Sequence, residues 1–166
     1  MIVGLAFFVV QILGCIVGAF LAWLLVRDAG VIIINDNNDY LQACVAETLG
    51  SLLFVFIFLT QTDPFTRFSN DLGIWSLVIA ASYSSVISYA SARIIRSMNP
   101  AYAIAVQLTY WIDNQPGFTF KYIWIYILCP IIASLIALVF YDFVYKKAIE
   151  ECSEDVKNNT KIEVGE

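Results

Sequence analysis

The stretch NPAYAIAVQLTYWI, residues 99–112, decides the fold of this chain. Proline has no N–H to lose at a helix start and its φ angle is already helical, so the stretch predicts a helix that begins at Pro100 with Asn99 as its N-cap. About thirteen residues at roughly 1.5 Å each reach about 20 Å, too short to cross a hydrocarbon core of about 30 Å. The sequence therefore predicts a half-length helix over about residues 100–112.

Long apolar segments flank this short helix. The chain has 166 residues, 60% of them hydrophobic, and a mean hydropathy of +0.77, unlike an ordinary soluble domain. Four segments are long and apolar enough to cross a bilayer: residues 2–26, 41–60, 72–92 and about 122–145. We therefore expect an all-α polytopic membrane protein, in which residues 1–145 form four transmembrane helices plus one re-entrant half-helix. Residues 146–166 are expected to form a disordered, cytoplasmic tail.

Composition argues against several functions. The net charge of −5, with much of the acid after Glu150, argues against nucleic acid as a partner. The chain has no histidine, and its four cysteines show no metal-site or disulfide spacing. Glu47 and Asp142 are isolated carboxylates without a nucleophile or metal cluster beside them. We expect no enzyme, no catalytic residue, no metal and no cofactor; a half-length helix between full spans is typical of a pore.

The basic residues give only a weak orientation. One side of the membrane would carry five of them and the other four: Arg67, Lys146, Lys147, Lys157 and Lys161 against Arg27, Arg93, Arg96 and Lys121. The pair Lys146-Lys147 beside the last span favours a cytoplasmic C-terminus. Four spans would then place the N-terminus on the same side. The sequence shows no signal that names the membrane.

Two polar side chains lie inside the predicted spans. Glu47 stands about six residues inside its apolar segment, where a carboxylate needs hydrogen-bond donors or a proton. Either it reaches water at the interface, or it accepts hydrogen bonds from irregular backbone near the half-helix. Such backbone is tolerated at membrane depth only inside protein or beside a cavity. Gln11 raises the same question more mildly, since its amide is able to bond to a neighbouring helix.

Together these features resemble the aquaporins, the major intrinsic protein family. The residues Arg96-Ser97-Met98-Asn99-Pro100-Ala101 resemble the second Asn-Pro-Ala box of the family. Other residues resemble its third, fourth and sixth spans in order: Gln11, Gly14 and Gly18; Glu47, Gly50 and Ser51; Trp124, Tyr126, Pro130 and Ala133. The resemblance covers nearly the whole chain up to about Tyr145. It implies a right-handed helical bundle.

The resemblance also implies a function: a homotetrameric pore subunit in a lipid bilayer for passive movement of water or small neutral solutes. In the family two half-helices meet at the midplane, with positive N-terminal ends and with Asn amides that point into the pore. Asn99 would be one of the two donors, and Pro100 and Ala101 would stack against the opposite box. Glu47, with Gln11, would support the loop before Asn99.

The chain departs from the family pattern at three places. It starts at the third span, so the bundle is expected to be incomplete and to lack the first box; a fragment, a truncated gene model and a half-channel are all compatible with this. The alternative function is a non-conducting chain that associates with a full-length relative. Tyr102 replaces the usual Arg, and Arg96 either supplies the filter charge or faces extracellular water. Ile87 replaces a His frequent in water-selective members, and Ala103 an Asp usual in glycerol-conducting ones, so neither substrate signature is present.

Overall fold

The computed structural model describes residues 2–26, 39–88, 97–113 and 120–164, and within these ranges it contains helices and no strand. The all-α fold class is therefore confirmed. The elements in chain order are α1 Ile2–Val26, α2 Asp39–Thr62, α3 Leu72–Ser88, α4 Pro100–Ile112, α5 Ile123–Phe140, a π-helical turn Tyr141–Tyr145, and α6 Lys146–Val164.

Most of the predicted spans correspond to long apolar helices. Among the described residues, three helical runs are long and apolar enough to cross a membrane: Val3–Val26, Tyr40–Thr62 and Ile123–Val156. The predicted span 72–92 corresponds to α3, which is apolar but shorter, and residues 89–92 lie outside the described part of the chain. The half-helix has the predicted bounds, residues 100–112.

The tail differs from the sequence prediction. Composition predicts disorder after residue 145, whereas Lys146–Val164 form α6, which continues from α5 through the π-helical turn. The apolar residues Ile149, Cys152 and Val156 recur at helical spacing along α6. The prediction of disorder followed from the polar, charge-alternating composition of this segment and did not take that spacing into account. A helix already formed on its N-terminal side also removes the cost of nucleating a new one.

The chain divides into two compact units, and the first contains the half-helix. It comprises the described residues of Met1–Ser51 and Ile87–Ala133. In it α1 contacts α4, and the core is built mostly from small side chains. The buried members are Ala19, Ala43, Ala103, Ala105, Val106, Ile125, Tyr126 and Cys129. Small residues let helices approach closely where a membrane supplies no hydrophobic driving force, so this core fixes α4 tightly.

The second unit comprises the described residues of Leu52–Val86 and Ser134–Glu166. Aromatic contacts join its helices: the Phe54 and Tyr83 ring centres lie 5.2 Å apart, and Phe56 lies 5.5 Å from Phe140. The loop after α2 is tied to the π-helical turn by hydrogen bonds that converge on Asp63 and Tyr141. This unit therefore combines aromatic packing with a polar contact at the end of α2.

Candidate functional site

The start of α4 has the geometry that its sequence predicts. Asn99 is extended, with φ −138° and ψ 108°, and its Oδ1 accepts a hydrogen bond from the Ala101 N–H at 3.0 Å. Because Oδ1 is used by the cap, Nδ2 carries the free N–H groups of the amide. Asn99 is half-buried, and no described residue accepts a hydrogen bond from its Nδ2.

Glu47 supports the backbone immediately before this cap. Its side chain is fully buried. Its Oε1 accepts from the Ser97 N–H at 2.7 Å and its Oε2 from the Met98 N–H at 2.8 Å. Both distances lie at the short end of the range for N–H···O hydrogen bonds. Of the two sequence alternatives for Glu47, the structure has the one in which it binds irregular backbone near the half-helix.

The segment 97–99 is irregular, and its own side chains help to hold it. Met98 has a φ of +44°, in the left-handed region that costs a residue with a Cβ about 1–2 kcal/mol. The Ser97 hydroxyl donates to the Asn99 carbonyl at 2.6 Å and accepts from the Asn99 N–H at 3.4 Å. With the Glu47 bonds, these contacts hold the turn in this conformation and orient the Asn99 side chain.

The residues after Asn99 anchor the half-helix in the core. Ala101 is 3% exposed and Ala103 is fully buried, so neither position has room for a charged side chain. Tyr102 is half-buried and packs against the small-residue core. Its side chain therefore borders the protein interior at the position where the resemblance expects an Arg.

The remaining predicted site residues are Ile87, Gln11 and Arg96. Ile87 is 40% exposed on α3. Gln11 is exposed on α1, and among the described residues its amide forms no hydrogen bond to segment 97–99. Of the two residues predicted to support this segment, Glu47 contacts it and Gln11 does not. Arg96 lies outside the described residues, so its two alternatives stand as the sequence left them.

The sequence analysis names Ser97 and Ser51 only within the family resemblance and predicts no contact for either hydroxyl. A Ser two residues before a helix cap commonly makes the kind of backbone turn that Ser97 makes here. Ser51 stands one helical turn after Glu47 and is 2% exposed, and its Oγ has no hydrogen-bond partner among the residues described. No simple sequence signal separates a buried span serine of this kind from a packing residue.

The site offers neutral hydrogen-bond donors and a helix dipole. The N-terminus of α4 carries partial positive charge, and Asn99 adds amide donors beside it. The nearby carboxylate of Glu47 is occupied by backbone N–H groups. Within the described ranges, no group of three or more His, Cys, Asp or Glu side chains is able to hold a metal ion. The arrangement suits the binding of a small neutral acceptor.

Comparison with known families gives one clear match. The family model described as "Major intrinsic protein" matches residues 1–141, a range that contains every element of the candidate site. Neither the curated proteins nor the solved structures contain a match to the chain.

Proposed function

This chain belongs to the major intrinsic protein family, and we propose that it conducts water or small neutral solutes through a pore at the Asn99-Pro100-Ala101 half-helix. As a family member it is a multi-pass membrane protein of a channel family that passes water or small solutes, and not of an enzyme family. The proposal adds the residues and the mechanism to that general statement.

The amide of Asn99 is the observation that carries the proposal. Its oxygen is fixed by the Ala101 N–H, so its nitrogen is left to donate to a permeant. A water or hydroxyl oxygen accepts that bond at the positive end of α4, where a cation is repelled. Pro100 beside it is half-buried and apolar, so the permeant is bound at one donor and released easily.

The positions that the resemblance assigns to the filter carry few charged groups in this chain. Tyr102 and Ala103 replace the two charged residues that the family resemblance expects, and Ile87 adds an apolar side chain. We propose that Arg96 supplies the missing filter charge. If Arg96→Ala leaves permeability and ion exclusion unchanged in a conducting preparation, Arg96 faces water instead and this part of the proposal is wrong.

Osmotic flux in vesicles tests the proposal. The purified full chain is expected to raise the shrinking rate of vesicles above that of empty ones. Asn99→Asp keeps an oxygen for the Ala101 N–H but removes the amide donors, so we expect a roughly five- to tenfold lower water permeability, in line with one lost hydrogen bond. The matched control is Asn70→Asp, since Asn70 is exposed and uses only its oxygen, toward Arg67.

The outcomes separate two functions. A rate equal to that of empty vesicles would mean that this chain does not conduct alone, which favours the alternative of a non-conducting partner of a full-length relative. If Asn99→Asp and Asn70→Asp lower the flux equally, Asn99 does not act in the pore.

We further propose a homotetramer, the assembly typical of the family, and a cytoplasmic C-terminus because of Lys146-Lys147.

A further inference from the structure

An apolar groove lies on the second unit, at the C-terminal half of α5 and the π-helical turn. Its volume is about 460 Å³. Every residue that lines it is apolar, and each is more than two-fifths exposed: Leu135, Ile136, Val139, Phe140, Phe143 and Val144. From residue 135 to residue 144 the helix advances about 14 Å, so the groove is long and runs along the helix axis.

An exposed lysine lies at the end of this groove. The two adjacent lysines have different partners: Lys146 Nζ lies 2.8 Å from Asp63 Oδ2, whereas Lys147 Nζ lies 5.5 Å from the ring centre of Phe143. Lys147 is exposed and forms no ion pair with a described carboxylate, Glu151 one turn further on included. Its charge is therefore available directly beside the groove.

We propose that this groove and Lys147 form a binding site for an anionic phospholipid, with an acyl chain in the groove and the phosphate at Lys147. The groove belongs to a helical run that is apolar enough to cross a membrane, where acyl chains are the surrounding solvent. Apolar contact alone does not select one lipid from another in a bilayer. The shape of the groove orients the chain, and the lysine at its end selects the charged headgroup.

Charge disfavours a second copy of this chain that would bind through this same face. Copies inserted in one membrane share an orientation, so the same face of a second copy would bring its own Lys147 to the same depth. Two lysines at that position repel each other. An anionic headgroup removes this repulsion and pairs with the single lysine.

Lipid retention measures the selectivity of the site. The purified full chain is taken from vesicles that hold equal amounts of phosphatidylglycerol and phosphatidylcholine of the same chain length, and native mass spectrometry counts the lipids kept. We expect preferential retention of phosphatidylglycerol, and an about fivefold loss of that preference in Lys147→Gln, the effect of one lysine on an acidic lipid. The control is Lys121→Gln, since Lys121 also lies over an aromatic ring, that of Tyr122 at 4.9 Å.

Equal retention of both lipids, or an equal effect of the two lysine changes, would overturn the proposal. Displacement of the lipid by glycerophosphate would overturn the role of the acyl chain, because that anion has none. A photoreactive phenylalanine analogue at position 143 identifies the occupant directly. An adduct with the mass of phosphatidylglycerol supports the lipid site, and an adduct with a second copy of the chain contradicts it.

Discussion

Two carboxylates associated with α2 are held in opposite ways. Glu47, within the helix, is fully buried, and both of its oxygens accept backbone N–H groups. Asp63, directly after the helix, keeps 22% of its side chain exposed and binds Lys146 and Tyr141. Water is able to replace the partners of Asp63, but not those of Glu47. The comparison therefore teaches that the turn before Asn99 depends on one irreplaceable acceptor, whereas the contact at Asp63 is adjustable.

The largest effect is expected from Glu47→Gln. Glutamine offers one acceptor oxygen, and its NH₂ group meets the second backbone N–H as a donor facing a donor. We expect the turn to lose about 2–3 kcal/mol of local stability, which corresponds to roughly 30- to 150-fold faster amide exchange at Ser97 and Met98. Hydrogen exchange followed by mass spectrometry measures it in the full chain.

The control for this change is Glu150→Gln, on the exposed surface of α6. It makes the same chemical change and is expected to leave exchange at residues 97 and 98 as it is. If Glu47→Gln leaves the hydrogen-exchange protection of residues 97 and 98 unaltered, the other contacts hold the turn. Glu47 would then be as replaceable as Asp63.

The next largest effect on stability is expected at Met98, the strained residue whose N–H binds Glu47. Met98 has φ +44°, which a β-branched side chain adopts poorly and asparagine adopts readily. We expect Met98→Val to cost about 1–2 kcal/mol more than Met98→Asn. Loss of helical circular dichroism against increasing denaturing detergent compares the two. A variant order opposite to this one would mean that the side chain of residue 98, rather than its backbone, decides the stability of the turn.

The sequence predicted much of the surroundings of Glu47 and little of the surroundings of Asp63. Pro100 fixes a helix start and Asn99 its cap by local chemistry alone, so the bounds of α4 follow from the residues themselves. A buried Glu in an apolar span also requires donors, which made its contact with the segment before Asn99 predictable.

The rest depends on contacts between distant residues. Asp63 meets Lys146 across 83 positions, and nothing local to either residue indicates the pair. The left-handed φ of Met98 was equally hidden, because the usual signal for such a turn is a glycine or an asparagine. Gln11 is a polar residue inside an apolar span, which suggested that it is buried, but it lies on the exposed side of α1. Because α1 is apolar on nearly all sides, its periodicity does not show which side is exposed.

A smaller effect is expected at the polar contact in the second unit. Tyr141 is 4% exposed; its hydroxyl donates to Asp63 Oδ2 at 2.9 Å and lies 2.8 Å from Thr66 Oγ1. Tyr141→Phe leaves Asp63 paired with Lys146, so we expect a loss of only about 1 kcal/mol in the same detergent titration. Tyr145→Phe is the matched control one turn further on. Equal losses in the two variants would mean that the hydroxyl of Tyr141 contributes nothing specific.

The smallest effect concerns pH. The Lys146 ammonium first, then the Phe65 N–H and the Tyr141 hydroxyl, lower the pKa of Asp63 from 3.8 to about 2. Because the folded pKa is the lower one, this interaction stabilises the protein fully above about pH 4, and the stabilisation is lost as the pH falls toward 2. For a pair that remains partly in water we expect no more than about 1 kcal/mol.

Asp63→Asn tests this sign. The variant is expected to be less stable than the wild type at pH 6, and the two are expected to converge as the pH approaches 2, in thermal unfolding of the detergent-solubilised chain. Asp155→Asn, on the exposed surface of α6, controls for the loss of one negative charge. A constant difference across the whole range would mean that the Asp63 carboxylate acts through its shape and hydrogen bonds, which an amide also supplies in part, and that even the adjustable carboxylate is not held by charge.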